Sequence, residues 1–158
     1  MNLQAKVLTV SDGVVGGTRE DKSGAALVAR LTAAGYEVVS HDVVADGTDS
    51  VAGALRRLTA GFEGLVVTTG GTGFGPRDLT PEGTAAVLDR PAPGLAEAMR
   101  LANPDKGRLS RAAAGTVGTA LVLNTPGSTA GAVETLEAVL DVLPHALELL
   151  AGRPTEHP

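Results

Sequence analysis

Residues 68 to 82 read TTGGTGFGPRDLTPE, the stretch of the chain richest in groups that can do chemistry. Gly70, Gly71 and Gly73 leave backbone N–H groups free of Cβ interference, so the loop, with Thr72 between them, can converge on an anion as a phosphate cradle does. Arg77 and Asp78 follow directly. In an isolated loop that pair would be solvated and of no consequence, but beside a cradle Arg77 can neutralise a phosphate and Asp78 can offer Mg2+ a hard oxygen ligand. Thr80 suits a helix N-cap, Pro81 the first helical position, and Glu82 a favourable place against the helix dipole. The loop is not a Walker A motif, because no Lys precedes a Ser or Thr at the required spacing. It does not fit GxGxxG either, since Pro76 stands where the third glycine would fall.

A second segment, Val43-Val44-Ala45-Asp46-Gly47-Thr48-Asp49-Ser50, carries a spare carboxylate. Asp49 or Ser50 is placed to cap the following helix, whereas Asp46 lies too early to do so. Asp46 and Asp78 can therefore form a two-carboxylate metal site. Asn124-Thr125-Pro126-Gly127-Ser128-Thr129 opens a long helix, and plain capping by Ser128 or Thr129 and ligand binding by its amides and hydroxyls both remain open. Ser11-Asp12-Gly13 carries a weaker signal of the same kind. His41, His145 and His157 form no ligand pattern.

The elements that must hold these loops alternate. An apolar, partly β-branched run at 5–10 predicts a strand, 22–34 a helix with a glycine stop at Gly35, 36–44 a strand, 50–60 a helix and 65–69 a third strand. A helix at about 81–88, a Pro-punctuated linker at 91–94, a helix at 95–102 and a turn-rich loop at 103–110 follow. Residues 114–124, broken by Gly115 and Gly118, form one or two strands. The final helix, 130–150, carries one apolar stripe, with Pro144 bending it or marking a first-turn restart. Strands alternating with helices of these lengths require crossovers and hence an α/β domain, a largely parallel sheet covered on both faces. Ligands in such sheets sit at the carboxyl ends of strands, where the loops 11–18, 45–50 and 70–80 all fall.

Composition narrows the function. One domain spans 1–158, and with aromatics at 2 % its core must be filled by Val, Leu and Ala. The absence of cysteine removes disulfides, thiolate zinc sites and thiol nucleophiles. A formal net charge of −5 and no basic cluster argue against nucleic acid; Arg56, Arg57, Arg108 and Arg111 read as ordinary solvated charge. No signal peptide or membrane span is expected, so the expected setting is cytoplasmic. An acidic domain that binds a phosphorylated ligand must use amides, a metal ion or a few aimed cations.

TTGGTGFGPRDLTPE closely resembles the TGGTG…RD.TPE signature of the Mog/MoaB family of molybdenum-cofactor biosynthesis proteins, and NTPGS resembles that family's second signature, NLPGSP. Ser11-Asp12 with Asp21-Lys22-Ser23-Gly24 looks like its SD…DKSG pattern, and Val44-Ala45-Asp46 like its V-P-D loop. The resemblance runs through nearly the whole chain, in order. It implies a three-layer α/β/α fold with a mostly parallel sheet, shared with the gephyrin amino-terminal domain, and a homotrimer. It implies molybdopterin as substrate, ATP as AMP donor with Mg2+, and adenylyl-molybdopterin and pyrophosphate as products. Asp46 and Asp78 would hold the metal and act catalytically. Gly70, Gly71, Thr72, Gly73, Arg77 and Thr80 would serve the phosphates, and Ser11, Asp12, Pro126, Gly127 and Ser128 would line the pterin or phosphate end. Ala45, Gly47, Thr125 and Thr129 depart from the family pattern without touching those ligands, although Ala45 and Gly47 should loosen the loop that carries Asp46. A non-catalytic molybdopterin-binding carrier or scaffold is the alternative within the family. A dinucleotide oxidoreductase is disfavoured by the broken GxGxxG.

Overall fold

The computed structural model describes residues 2–155; His157 and the end of the tail lie outside them. Six strands, β1 (Gln4–Val10), β2 (Glu37–Val44), β3 (Gly64–Thr69), β4 (Arg90–Pro91), β5 (Ala114–Val117) and β6 (Ala120–Thr125), form one sheet in the order β2-β1-β3-β6-β5-β4. β2, β1, β3 and β6 run parallel, while β5 and β4 add an antiparallel edge.

Period-two alternation divides the core in two, because successive side chains of a strand point to opposite faces. Ala5 and Val7 of β1, Leu65 and Val67 of β3, and Leu121 and Leu123 of β6 join one cluster; Leu8 and Val10, Val66, and Ala120 and Val122 join the other. The first cluster is covered by α2 (Lys22–Ala33), α5 (Pro93–Leu101), α7 (Thr129–Glu137) and α8 (Leu143–Leu150), through Leu27, Leu31, Met99, Leu136, Leu143 and Leu147. The second is covered by α3 (Thr48–Thr59) through Val51, Ala54, Leu55 and Leu58, with α4 (Thr80–Ala85) packed on α3. Gly83 makes that approach possible: a Cβ there would stand 2.7 Å from Val51 Cβ. The result is the three-layer α/β/α arrangement with a mostly parallel sheet that the element order requires.

Several local expectations are corrected. The final helix is two: α7 ends at Glu137, and α8 begins at Leu143 with Pro144 in its first turn, the restart alternative. The linker at 91–94 begins with strand residues, since Arg90 and Pro91 pair with Thr116 and Gly115. Two short helices, α1 (Asp12–Val15) and α6 (Pro104–Gly107), occupy stretches expected to be loop. Neither Asp49 nor Ser50 caps α3; the N-cap is Gly47, which has no side-chain cap bond. Among the described residues no helix is long and apolar enough to cross a membrane.

Candidate active site

The carboxyl ends of the four parallel strands meet at one cavity of about 870 Å³, within the size range of small-molecule sites. Its wall includes Ser11 after β1, Asp46 after β2, Gly70, Gly71, Thr72, Gly73 and Asp78 after β3, and Pro126, Gly127 and Ser128 after β6. Asp12, Arg77 and Thr80, also expected in the site, do not line the cavity; they hydrogen-bond to Asp46 and Gly70, which do.

The glycine loop is shaped by two positions no other residue would tolerate. Gly70 has φ 101° and Gly71 φ 70°, in the left-handed region that costs L-residues roughly 1–2 kcal/mol. A Cβ on Gly70 would fall 2.2 Å from the Val10 carbonyl oxygen, and one on Gly71 2.3 Å from Thr80 Oγ1. Thr80 is the first residue of α4 rather than its N-cap, a position taken by Leu79. Its buried hydroxyl instead donates to the Gly70 carbonyl at 2.9 Å, stapling the start of the loop to the helix that ends it. Beneath lies a buried polar layer: Asn124 Nδ2 donates to Thr68 Oγ1 and Thr84 Oγ1, both at 3.0 Å, and Thr125 Oγ1 donates to the Thr68 carbonyl at 2.8 Å. Ser128 caps α7 by accepting from Gly131 N–H at 3.2 Å, and it also lines the cavity.

Both acids flank this loop. A Cβ on Gly71 would approach Asp46 Oδ1 to 3.1 Å, and one on Gly73 would approach Asp78 Oδ2 to 3.1 Å. Asp78 Oδ2 accepts from Gly75 N–H at 2.9 Å. Asp46 exchanges two bonds with Asp12: Asp12 N–H donates to Asp46 Oδ2 at 2.9 Å, and Asp46 N–H donates to Asp12 Oδ1 at 3.1 Å. Partial burial pushes the Asp46 carboxyl above the ordinary carboxylate value, and the negative charges of Asp12 and Asp78 add to the rise against the lowering by the Asp12 hydrogen bond and Arg77. The loop expected to be loose is tied down by Ser50, whose hydroxyl lies 2.6 Å from the Ala45 carbonyl and 3.0 Å from that of Gly47.

The arginines are placed differently from what their spacing suggests. Arg77 Nε donates to Asp12 Oδ2 at 2.6 Å and its terminal nitrogen to the Asp46 carbonyl at 2.9 Å. The guanidinium thus joins the β1 and β2 tips, and its hydrogen bond holds the Asp12 carboxyl below its ordinary value. Arg111, read from sequence as ordinary solvated charge, instead clasps the glycine loop. Its Nε donates to the Gly73 carbonyl at 2.8 Å, one terminal nitrogen to the Asp78 carbonyl at 2.5 Å and the other to Glu82 at 2.6 Å. Nothing in the local pattern at 108–111 marks that role, because Arg111 reaches partners some thirty residues away.

Sequence reasoning also passed over Asp21, Lys22 and Ser23 as site residues, although it singled out their motif, and it gave no role to Lys106, Leu109 or Ser110; all line the cavity. Asp21 caps α2 by accepting from Gly24 N–H at 3.0 Å, and it meets His41 Nε2 at 2.8 Å and Thr9 Oγ1 at 2.8 Å.

The tips of the parallel strands gather round the glycine loop and the two acids, the place where sheets of this kind bind their ligands. Residues 6–145 match the family described as "Probable molybdopterin binding domain". The chain is 36 % identical over 150 residues to a molybdenum cofactor biosynthesis bifunctional protein of Chlorobaculum tepidum, covering 92 % of this chain and 48 % of that protein. It is also 36 % identical over 152 residues to a molybdopterin adenylyltransferase of Helicobacter pylori, covering 92 % of this chain and 86 % of that one. The chain therefore spans about half the length of the bifunctional relatives. The crystal structure of the molybdopterin biosynthesis enzyme MoaB from Thermus thermophilus superposes with a TM-score of 0.89 at 45 % identity, covering 98 % of this chain and 99 % of that one. The Mog protein of Mycobacterium ulcerans gives 0.87 at 35 %, covering 97 % and 99 %. The chain belongs to the Mog/MoaB family of molybdenum-cofactor biosynthesis proteins.

Proposed function

We propose that the domain adenylylates molybdopterin with Mg-ATP, releasing pyrophosphate. The observation that carries the proposal is the placement of Asp46 and Asp78 on either side of one glycine loop, at a cavity shared by four strand tips. In the reaction a terminal phosphate oxygen of molybdopterin attacks the α-phosphorus of ATP; a new P–O bond forms, the bond to the β-phosphate oxygen breaks, and pyrophosphate leaves with the electron pair. The nucleophile is already anionic near neutral pH, so no general base is required.

What must be offset is the meeting of two anions in an acidic protein. The amides of Gly71 to Gly73 supply donors. Asp46, raised first by burial and then by the charges of Asp12 and Asp78, would with Asp78 hold a divalent cation, which would supply positive charge against those carboxylates and the phosphates. Among the described residues no group of three or more His, Asp or Glu side chains stands ready to hold a metal. Mg2+ commonly draws one or two carboxylates from protein and the rest from phosphates and water, and the two aspartates fit that habit. Arg77 then serves by fixing Asp12 against Asp46. The test is pyrophosphate release from ATP, Mg2+ and molybdopterin: release above a no-enzyme control is expected, with a loss on the order of 100-fold or more in Asp78→Asn. No release by the parent protein with molybdopterin demonstrably bound would return the domain to the role of carrier.

A further inference from the structure

The cavity wall carries four acids, Glu20, Asp21, Asp46 and Asp78, and three cations, Arg19, Lys22 and Lys106. The two arginines nearest the glycine loop are committed elsewhere, Arg77 to Asp12 and Arg111 to Glu82. Among the described residues Arg19, whose side-chain stem lies against Gly13, has no ion-pair partner, and neither have Lys22 and Lys106. Both lysines are exposed and both face the cavity, Lys22 on the side of β1 and α2, Lys106 from α6 on the side of α5 and β5. Lys106 also lines a smaller adjoining cavity of about 200 Å³ between α5 and α7, so it stands at the junction of the two spaces.

Lys22 has a second peculiarity. It is the first residue of a twelve-residue helix, α2, whose first turn contains no acid. A cation there opposes the positive end of the helix dipole. The Asp21 carboxylate that caps α2 offsets part of that opposition, and an anion in the cavity would offset more.

We propose that Lys22 and Lys106 are the cations that bind the phosphates of the nucleotide, one from each wall of the cavity, and that Arg77 acts only through Asp12 and Asp46. This rests on the adenylylation reading above and assigns the charge that reading leaves unallocated. A primary ammonium, a compact point charge on a flexible stem, can follow a phosphate as bonds change, while a guanidinium already forked onto a carboxylate cannot.

The test is calorimetric titration of Mg-ATP into the full chain and its variants. Lys22→Gln and Lys106→Gln are each expected to raise Kd roughly tenfold, and to raise KM for ATP while kcat changes less than about threefold. Lys22→Arg and Lys106→Arg, which restore the charge, should recover most of the affinity. Arg56→Gln, on α3 away from the cavity, should leave Kd unchanged. Thermal unfolding separates binding from folding: Lys22→Gln should melt no lower than the parent, since it removes a charge opposed to the dipole. If the parent binds Mg-ATP and both glutamine variants bind it equally well, the clamp is refuted and the adenylylation reading stands. If the parent does not bind Mg-ATP at all, the adenylylation reading fails first and the clamp with it.

Discussion

Asp12 and Asp46 exchange backbone and side-chain hydrogen bonds, yet their carboxyls move in opposite directions. Arg77 lowers Asp12, while burial and neighbouring charge raise Asp46. The two therefore bear on stability with opposite sign. A folded-state value below the unfolded one means that ionised Asp12 stabilises the native protein at pH above its ordinary value of 3.8, and that this contribution is lost as pH falls through the folded value. Asp12→Asn should lower the melting temperature at pH 7 and lose that effect as the medium is acidified below about 4. Ionised Asp46, by contrast, opposes folding above its raised value, so Asp46→Asn should melt at or above the parent temperature at pH 7 while pyrophosphate release collapses. Melting curves of both variants at pH 7 and in acid, beside the turnover assay, check the pair; an Asp46→Asn protein that melts well below the parent would show the carboxylate to be structural. Asp46 itself was legible in the sequence because it stands too early to cap α3. Its latch to Asp12 was not, since that contact joins residues brought together only when β1 and β2 pair.

At the scale of elements, strands β1, β2 and β3 and helices α2 and α3 were readable from periodicity, because each buries one face of a continuous pattern. The failures share a cause. α1 and α6 are four-residue turns, too short to express a helical period, and β4 is two residues whose pairing depends on β5 lying alongside. The α3–α4 contact likewise leaves only a glycine in the sequence. Gly83→Ala would press a methyl group against Val51 and the Thr48 carbonyl, an overpacking that costs about 1–3 kcal/mol. Because α4 begins where the glycine loop ends, its displacement should also lower kcat/KM. Gly53→Ala on the same helix pair meets open space and should stabilise the protein by about 0.4–1 kcal/mol. Urea denaturation of the two variants compares them directly, and equal effects would mean that α4 is free to move away from α3.

For the molecule as a whole, a core made of Val, Leu and Ala leaves little use for the polar end of an aromatic residue. Tyr36 enters the larger core cluster at 4 % exposure, and its hydroxyl has no hydrogen-bond partner among the described residues. Burial pushes its ionisation up to about 12 from 10.0. Being raised in the folded state, the group supports stability that is fully present below pH 10 and is lost as pH climbs towards 12. Tyr36→Phe should therefore raise the unfolding free energy by about 1 kcal/mol at neutral pH, and should remove that part of the alkaline decline. Guanidinium unfolding at pH 7 and pH 11 measures both, and a phenylalanine variant weaker than the parent at pH 7 would mean that the hydroxyl is satisfied after all.

The polar layer under the cavity, Thr68, Thr84, Asn124 and Thr125, joins β3, β6 and α4 by directional bonds where most interiors rely on interchangeable hydrocarbon contact. Hydrocarbon can slide and resettle; a lattice of oriented donors and acceptors keeps its spacing or breaks. The bottom of the chamber is accordingly an anvil, and whatever yielding a ligand requires falls to its rim, where α1 and α6 sit without a single buried side chain.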